Sequence, residues 1–249
     1  MTDTAPYFAA PHFAAPHFAA LDATWPAARR FDVGGVTVRE GLGGGSRVSA
    51  ATANAALDDA ALDAAEQAMR DIGQTPRFML RPHEDALDAQ LAQRGYVMHD
   101  PTVLYTMPIT RLTQIPIPRV TTFCIWEPLA IMAEIWAKGG IGPERLAVMG
   151  RAAQKTAILA RWNEKPAGAG FVGLHEHIAM VHAVEVLPHQ RRQGVAQWIM
   201  RQAAFWGQLH GADTLALLTT KDNTGANALY RNLGFGPAGG YHYRAKMEQ

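Results

Sequence analysis

The chain has 249 residues, enough to bury one large core or two small ones, and its formal net charge is only +1. Because basic and acidic residues are interspersed, composition predicts neither a nucleic-acid partner nor attraction to an anionic membrane. The single cysteine, Cys124, excludes an internal disulfide framework. The sequence shows neither a secretory signal nor an apolar run of the roughly 18 residues that span a bilayer, so we expect a soluble cytoplasmic protein.

Residues 1–24 are predicted to form an extended tail rich in Ala, Pro and Phe. A short unit recurs as APYFA, APHFA and APHFA. Each proline removes a backbone donor and interrupts a helix, so we expect an extended segment that docks through Phe8, Phe13 and Phe18. His12 and His17 have no acidic or thiol partner nearby in sequence, which argues against a metal site there.

Residues 25–115 are predicted to form a half-domain in which helices and strands alternate. LDDAALDAAEQAMRDI has helical spacing and stops at Gly73, and PRFML follows as a strand. ALDAQLAQR is a second helix that stops at Gly95, and TVLYTM returns to a strand pattern. The glycine-rich stretch 41–49, GLGGGSRVS, has no strand-to-helix setting and is typical of a flexible turn.

Residues 116–249 follow a boundary near the prolines of ITRLTQIPIPRV and repeat that order. A predicted antiparallel meander of TAILARW, AGAGFVGL and IAMVHAVEV comes first. A helix then stops at Gly211, TLALLTT follows, and a second helix stops at Gly234 before a last strand. Gly95-Tyr96 matches Gly234-Phe235, which predicts a duplicated half-fold; the alternative is chance similarity between short amphipathic helices.

The stretch QRRQGVA lies between a strand that ends at Val186 and a helix that begins after Gly194. A helix N-terminus has free N–H groups and the positive end of the helix dipole, so this loop can hold an anion. Arg191 and Arg192 add positive charge. The geometry suits a pyrophosphate, and a solvated basic turn is the alternative.

Residues 117–249 resemble the GNAT superfamily of acyl-CoA-dependent N-acetyltransferases. RRQGVA is similar to the family pattern Q/R-x-x-G-x-G/A after a strand, and DNTGANALYRNLGF is similar to a second signature, an asparagine followed by A-x-x-L-Y-x-x-x-G-F. The resemblance implies an α/β (α+β) fold with a mixed, mostly antiparallel sheet flanked by helices. It also implies an enzyme that transfers an acetyl group from acetyl-CoA to a primary amine of a small molecule or peptide.

The alternatives to that enzyme are an acyl-CoA-binding or sensing protein without turnover and a nucleotide binder of another fold. The second alternative would require G-x-x-x-x-G-K-[ST] or G-x-G-x-x-G, and neither pattern occurs at this loop.

The resemblance also assigns site residues. Tyr230 would face the sulfur and protonate the leaving thiolate, while Asn223 would bind the cofactor or hold two splayed strands. The strand end would pair with the pantetheine arm and the loop amides would hold the pyrophosphate. The expected cofactor-binding residues are Val184, Val186, Arg191, Arg192, Gln193, Gly194, Val195, Ala196 and Asn223.

The general base is less defined. Glu185 lies at the strand end beside the expected thioester and His182 lies three residues earlier, so either could take the amine proton directly or through water. The alternative for Glu185 is a surface carboxylate or an ion pair to Arg191 or Arg192. We expect His182 to be structural. A regular strand places the two side chains on opposite faces, and a bulge would change that count. The triplet HEH at 175–177 has no further ligands at suitable spacing, so we expect no metal.

Comparison of the two halves predicts that the N-terminal one is inactive. Leu91 stands where the second half has Tyr230, and Glu84 stands where it has Asn223. No phosphate loop precedes the first helix. We expect the N-terminal half to complete or cover the acceptor side, next to two helices within WEPLAIMAEIWAKGG and GPERLAVMGRA.

Overall fold

The computed structural model describes residues 15–246. The elements of the N-terminal half are α1 (Ala15–Thr24), β1 (Arg29–Val33), β2 (Val36–Glu40), α2 (Ser46–Ser49), β3 (Thr52–Ala53), α3 (Asp59–Asp71), β4 (Arg77–Leu80), α4 (Asp85–Gln93) and β5 (Val97–Pro108). The elements of the C-terminal half are β6 (Thr122–Ile125), α5 (Ala130–Lys138), α6 (Pro143–Arg151), β7 (Gln154–Trp162), β8 (Lys165–His175), β9 (Ile178–Val186), α7 (Val195–Leu209), β10 (Thr214–Thr220), α8 (Thr224–Asn232) and β11 (Gly236–Ala245).

Eight strands form one sheet in the order β4-β11-β5-β10-β9-β8-β7-β6, and β1, β2 and β3 form a second, smaller sheet. In the large sheet β9 and β10 are parallel, while every other neighbouring pair is antiparallel. The predicted mixed, mostly antiparallel sheet flanked by helices is therefore confirmed.

The two halves of the chain share the large sheet. Strand β5 lies between β10 and β11, and β11 lies between β4 and β5. Both halves have the predicted order of helix, glycine, strand, helix, glycine-aromatic and strand. Because each half's last strand is inserted beside strands of the other half, a cut at residue 115 separates segments of one sheet. The division into residues 25–115 and 116–249 stays a prediction about the origin of the chain.

Helices cover both faces of the large sheet. Helix α7 packs on one face through apolar side chains such as Ile199 and Ala203, which meet Val172 and Val181 of the strands. Helices α1, α5 and α6 pack on the opposite face, where Trp136 is fully buried. Alternation along the strands gives both faces apolar side chains, as burial on two sides requires. The smaller sheet and β4 share a separate core with α3.

Helix α1 corrects the predicted extended tail for residues 15–24. Pro16 occupies the first turn, where its missing N–H is not needed, and no proline follows it within the helix. Ala20 and Leu21 are buried against the sheet face that carries α5. Phe18 packs on Tyr241 with ring centroids 6.3 Å apart. The other residues of the repeat that were singled out, Phe8, His12 and Phe13, lie outside the described residues.

An ionic cluster joins α4 to β11 and so ties the two halves together. Asp88 accepts hydrogen bonds from Arg244 Nε and Nη2 at 2.8 and 2.9 Å and from His242 Nε2 at 2.6 Å. The hydrogen bond from Arg244, followed by that from His242, outweighs burial and lowers the pKa of Asp88 to about 2.

We predict that Asp88→Asn lowers the free energy of unfolding at pH 7 by about 1 to 2 kcal/mol, since the cluster is partly exposed. A carboxyl whose pKa is lower in the folded state stabilises the fold above its unfolded pKa of about 3.9 and loses that effect as the pH falls through 2. Urea unfolding of both proteins at several pH values measures this. A difference that stays constant down to pH 2 would contradict the assignment.

Candidate active site

The parallel strands β9 and β10 separate part of the way along their length. They pair from Ile178 to Val181 on β9 and from Thr214 to Leu217 on β10. Strand β9 continues to Val186 and β10 continues to Thr220 without pairing with each other. A wedge-shaped gap therefore opens in the middle of the sheet, and the main chain along it has no strand partner on that side within the described residues.

A bulge in β9 lies at the start of this gap. Ala183 has a left-handed φ of 52°, and the register between β8 and β9 shifts beside it. Trp136 Nε1 of α5 donates a hydrogen bond of 2.8 Å to the Ala183 carbonyl oxygen. An L residue in this conformation costs roughly 1 to 2 kcal/mol, so the surrounding packing holds the bulge in place.

The bulge at Ala183 sets the face of the sheet on which the side chains of residues 184–186 lie. Val184 and Val186 pack with the core on the α7 face. Glu185 lies on the opposite face, against the backbone at Gly139 at the end of α5. His182 packs on Trp25 on that same face, with ring centroids 5.0 Å apart. His182 and Glu185 therefore share a face of the sheet. A regular strand would have placed them on opposite faces, and the bulge changes this, as the sequence analysis allowed.

The loop that follows β9 has the expected free backbone donors. Arg192 and Gly194 have left-handed φ values of 64° and 77°, and Gly194 is the N-cap of α7. The backbone N–H groups of residues 192–197 have no acceptor within residues 15–246. Successive free N–H groups at the N-terminus of a 15-residue helix form an anion-binding concavity.

Arg191 folds back from this loop over the end of β9. Its Nε donates to the Val186 carbonyl oxygen at 3.1 Å, and its Nη2 lies 3.3 Å from Glu185 Oε1. The arginine side chain is 59% exposed, so this ion pair contributes little to stability and is free to rearrange. The ion pair predicted as an alternative role for Glu185 is present.

Asn223, which precedes α8, and Asn227, which lies within it, make different hydrogen bonds. Asn223 is the N-cap and its Oδ1 accepts from Ala226 N at 3.1 Å. Asn227 is 5% exposed, and its Nδ2 donates to the carbonyl oxygens of Thr220 and Asn223. Its Oδ1 accepts from the Tyr105 hydroxyl at 3.0 Å. The end of β10 is therefore held by Asn227, a role that sequence reasoning considered only for Asn223.

Tyr230 lies on α8 within the core on the α7 face. It is 7% exposed and packs against Tyr105 and Phe235, with centroid distances of 6.2 and 5.9 Å. Its hydroxyl has no hydrogen-bond partner within the described residues. Burial raises the pKa of Tyr230 to about 12, so the phenol keeps its proton at neutral pH.

His182 is fixed as a neutral imidazole. Thr24 Oγ1 donates its only proton to the Ala20 carbonyl oxygen at 2.7 Å, so it must accept from His182 Nε2, which lies 2.9 Å away. His182 Nδ1 then accepts from Arg47 Nη1 at 3.3 Å. Burial, reinforced by the charge of Arg47, lowers the pKa of His182 well below its usual range. Both ring nitrogens are occupied, as the expected structural role requires.

A cavity of about 260 Å³ lies on this same face, next to the gap. Ala183 and Thr220 reach it from the two separated strands. The glycine-rich stretch 41–49 forms one wall instead of a free turn, because Ser46–Ser49 is a short helix whose Arg47 lines the cavity. The cavity is lined by Trp25, Gly44, Gly45, Ser46, Arg47, Asp100, Thr102, Ile141, Arg145, Ala183, Thr220, Tyr241 and Tyr243.

Within the described part of the chain, no helix combines the length and hydrophobicity needed to cross a bilayer. Nor do residues 15–246 contain a group of three or more His, Cys, Asp or Glu side chains arranged to hold a metal ion.

The C-terminal half of the chain is similar in sequence to a known family. Residues 129–235 match the model of the acetyltransferase (GNAT) family. The matched segment includes the separated strands, the loop before α7 and helix α8. No curated protein matches the sequence significantly.

Solved structures share the fold over nearly the whole chain. A GCN5-related N-acetyltransferase from Kribbella flavida superposes with a TM-score of 0.69 at 20% identity, covering 95% of this chain and 96% of that one. A conserved protein of unknown function from Staphylococcus epidermidis gives 0.68 at 11% identity, over 92% and 97% of the chains. A tandem GNAT protein from the clavulanic acid biosynthesis pathway gives 0.59 at 12% identity, over 84% and 76%.

We predict that Asn227→Ala lowers the free energy of unfolding by about 2 to 3 kcal/mol, because carbonyl oxygens at the end of β10 lose their donor inside the protein. Asn223→Ala is the matched control and removes only the helix cap, worth about 1 kcal/mol. Chemical denaturation of both variants measures the difference. A larger loss for Asn223→Ala would reverse the two roles.

Proposed function

We propose that this protein is an acetyl-CoA-dependent N-acetyltransferase that transfers the acetyl group to a primary amine by direct attack on the thioester. The observation that carries the proposal is the row of free N–H groups before α7, placed beside the gap between β9 and β10. That pairing offers a phosphate site and a main-chain slot for an extended ligand in one place.

The cofactor fits the residues at this site. The backbone N–H groups of Arg192, Gln193, Gly194, Val195 and Ala196 would hold the pyrophosphate. The main chain of β9 at Val184 and Val186 would pair with the pantetheine amides, as an added strand does. Arg191 would leave the Val186 carbonyl oxygen and turn toward the phosphates. Asn223, whose Nδ2 has no acceptor within the described residues, would donate to the same ligand.

Two side chains would move the protons of the reaction. Acetyl-CoA supplies an acyl carbon activated as a thioester. Glu185, on the cavity face of β9, takes the proton of the attacking amine directly or through water. Tyr230 donates its proton to the departing sulfur, and the proton held by Glu185 returns to the tyrosinate through solvent. A main-chain N–H at the strand end stabilises the negative charge on the carbonyl oxygen.

The raised pKa of Tyr230 is compatible with this role. A phenol with a pKa of about 12 is almost fully protonated at any pH at which the enzyme would work. The same burial disfavours a charged thiolate beside it, so the sulfur becomes a stronger proton acceptor in the same surroundings.

The N-terminal half would bind no cofactor of its own. Leu91, at the position that matches Tyr230, is fully buried in the core of α3 and β4. Glu84, at the position that matches Asn223, accepts from the backbone and guanidinium of Arg81, with a closest ion-pair distance of 2.7 Å. A carboxylate there repels phosphate. We therefore propose that this half supplies β5 and one wall of the acceptor cavity.

We predict that Gly194→Glu weakens acetyl-CoA binding at least about 10-fold, because it places a carboxylate at the pyrophosphate and strains a left-handed residue. Gly211→Glu is the matched control: it has a φ of 94° at the other end of α7 and open space around it. Calorimetric titration of both variants measures the affinities. Equal affinities for the two would remove the loop from the cofactor site.

We predict that Tyr230→Phe lowers kcat about 100-fold and leaves the affinity for CoA unchanged, since only the proton donor is lost. The variant should fold normally because the hydroxyl has no hydrogen-bond partner within the described residues. With a pKa of about 12 for Tyr230, kcat of the wild type should show no descending limb below about pH 10. Thiol release is the assay and Tyr96→Phe is the control. Unchanged turnover of Tyr230→Phe would exclude the acid role. If the wild-type protein binds acetyl-CoA but never releases thiol, it is an acyl-CoA-binding protein and not an enzyme.

A further inference from the structure

The acceptor-side cavity carries positive charge that the protein leaves uncompensated. Arg47 and Arg145 both line it. Neither forms an ion pair with a carboxylate within residues 15–246, whereas Arg39, Arg81, Arg94 and Arg244 do. The acidic residue that lines the cavity, Asp100, lies 3.2 Å from His99 Nδ1.

Arg47 has donors left over for a ligand. Its Nε donates to the Tyr241 hydroxyl at 3.2 Å and its Nη1 donates to His182 Nδ1. The Tyr243 hydroxyl also lies beside the guanidinium. An arginine offers five N–H donors in a planar fork, so donors remain for a planar anion.

Tyr241 adds a further donor at the same point. Its hydroxyl oxygen accepts hydrogen bonds from Arg47 Nε and from the Tyr243 hydroxyl, at 3.2 Å each. Its own proton has no acceptor within residues 15–246, and Tyr241 lines the cavity at 6% exposure. A guanidinium edge and a phenol proton therefore converge on one spot.

A charged group at such a place costs free energy unless an opposite charge meets it. His182 does not supply that charge, because its imidazole is held neutral. Tyr243, the other phenol in contact with Tyr241, stays protonated because burial raises its pKa well above the usual range. An anionic group of a molecule bound in the cavity would supply that charge.

We propose that the acceptor is an amino acid or a close analogue, whose carboxylate binds Arg47 and Tyr241 while its amine points to the thioester. This inference rests on the proposed acetyltransferase function. The carboxylate and the amine are expected to be only a few bonds apart, because Arg47 contacts His182, the first residue of β9 after its last pair with β10 at Val181. A cavity of about 260 Å³ is at the small end of the range for ligand sites and suits a molecule of this size.

The charge of the cavity argues against a polyamine or an aminoglycoside. Such acceptors carry several ammonium groups and require carboxylates around them. Here two guanidinium groups face the ligand, and Asp100 is shared with His99.

The test uses the full chain and three matched sets of acceptors: α-amino acids, the corresponding amino acid amides, and the corresponding aminoalkylphosphonates. Acetyl transfer is followed by thiol release at saturating acetyl-CoA. We expect at least one amino acid to be acetylated with a kcat/KM at least about 10-fold above that of its amide, because the amide has no charge for Arg47. In Arg47→Gln the KM for that amino acid should rise about 10- to 100-fold, while the KM for the amide stays unchanged.

Two controls keep the result interpretable. Arg119→Gln removes an equal charge at an exposed loop position outside the cavity and should change neither KM. If Arg47→Gln fails to fold by circular dichroism, Tyr241→Phe provides the same comparison with one donor removed.

The outcomes separate this inference from the proposed function. Amides acetylated as well as amino acids, or an Arg47→Gln effect equal for both, would overturn the carboxylate site while leaving the acetyltransferase in place. The carboxylate site would also be overturned if the protein binds acetyl-CoA but acetylates no amino acid, or if it prefers the phosphonates. Failure to bind acetyl-CoA at all would instead overturn the proposed function.

Discussion

The separation of β9 from β10 after only four paired residues is the constraint on which the rest of the structure depends. A gap in the middle of a sheet leaves main-chain groups without partners, and such a gap persists only if neighbouring elements hold both strands. Strand β5 holds β10 from the other side, and β8 holds β9. The bulge at Ala183, bound by Trp136, turns the end of β9 away. A gap made of main chain depends little on side-chain identity, and solved structures with this fold share only 11% and 20% of their sequence with the chain.

Residues of the N-terminal half line the cavity beside the gap. Strand β5 completes the sheet beside β10, and α1 contributes Thr24, which fixes the tautomer of His182. The short helix α2 contributes Arg47, which reaches the same imidazole from its other nitrogen. The gap and the loop before α7 thus belong to the C-terminal half, while much of the cavity lining comes from the N-terminal half. Under the proposed function, substitutions in the N-terminal half would change the acceptor without disturbing the cofactor slot.

Short sequence patterns predicted those helices and strands whose ends are set by neighbouring residues. Gly194 before an apolar repeat located the start of α7, and the run TLALLTT corresponds residue for residue to β10. Strand β1, RRFDV, was not predicted because it is mostly exposed and charged and lacks alternation. The insertion of β5 between β10 and β11 depends on pairing between residues 106 to 148 positions apart, to which no short pattern refers. Arg47 was missed because it lies in a stretch dominated by glycine, and only the fold brings it to His182.

The central claim is that one ligand occupies both the loop before α7 and the gap between the strands. The most direct measurement is a crystal structure of the full chain with CoA. The account predicts a pyrophosphate on the N–H groups of residues 192–196, a pantetheine arm along β9, and a sulfur within reach of Tyr230. CoA bound elsewhere, for example in the cavity of about 650 Å³ between α4 and α8, or a closed β9–β10 gap with CoA outside it, would contradict the account.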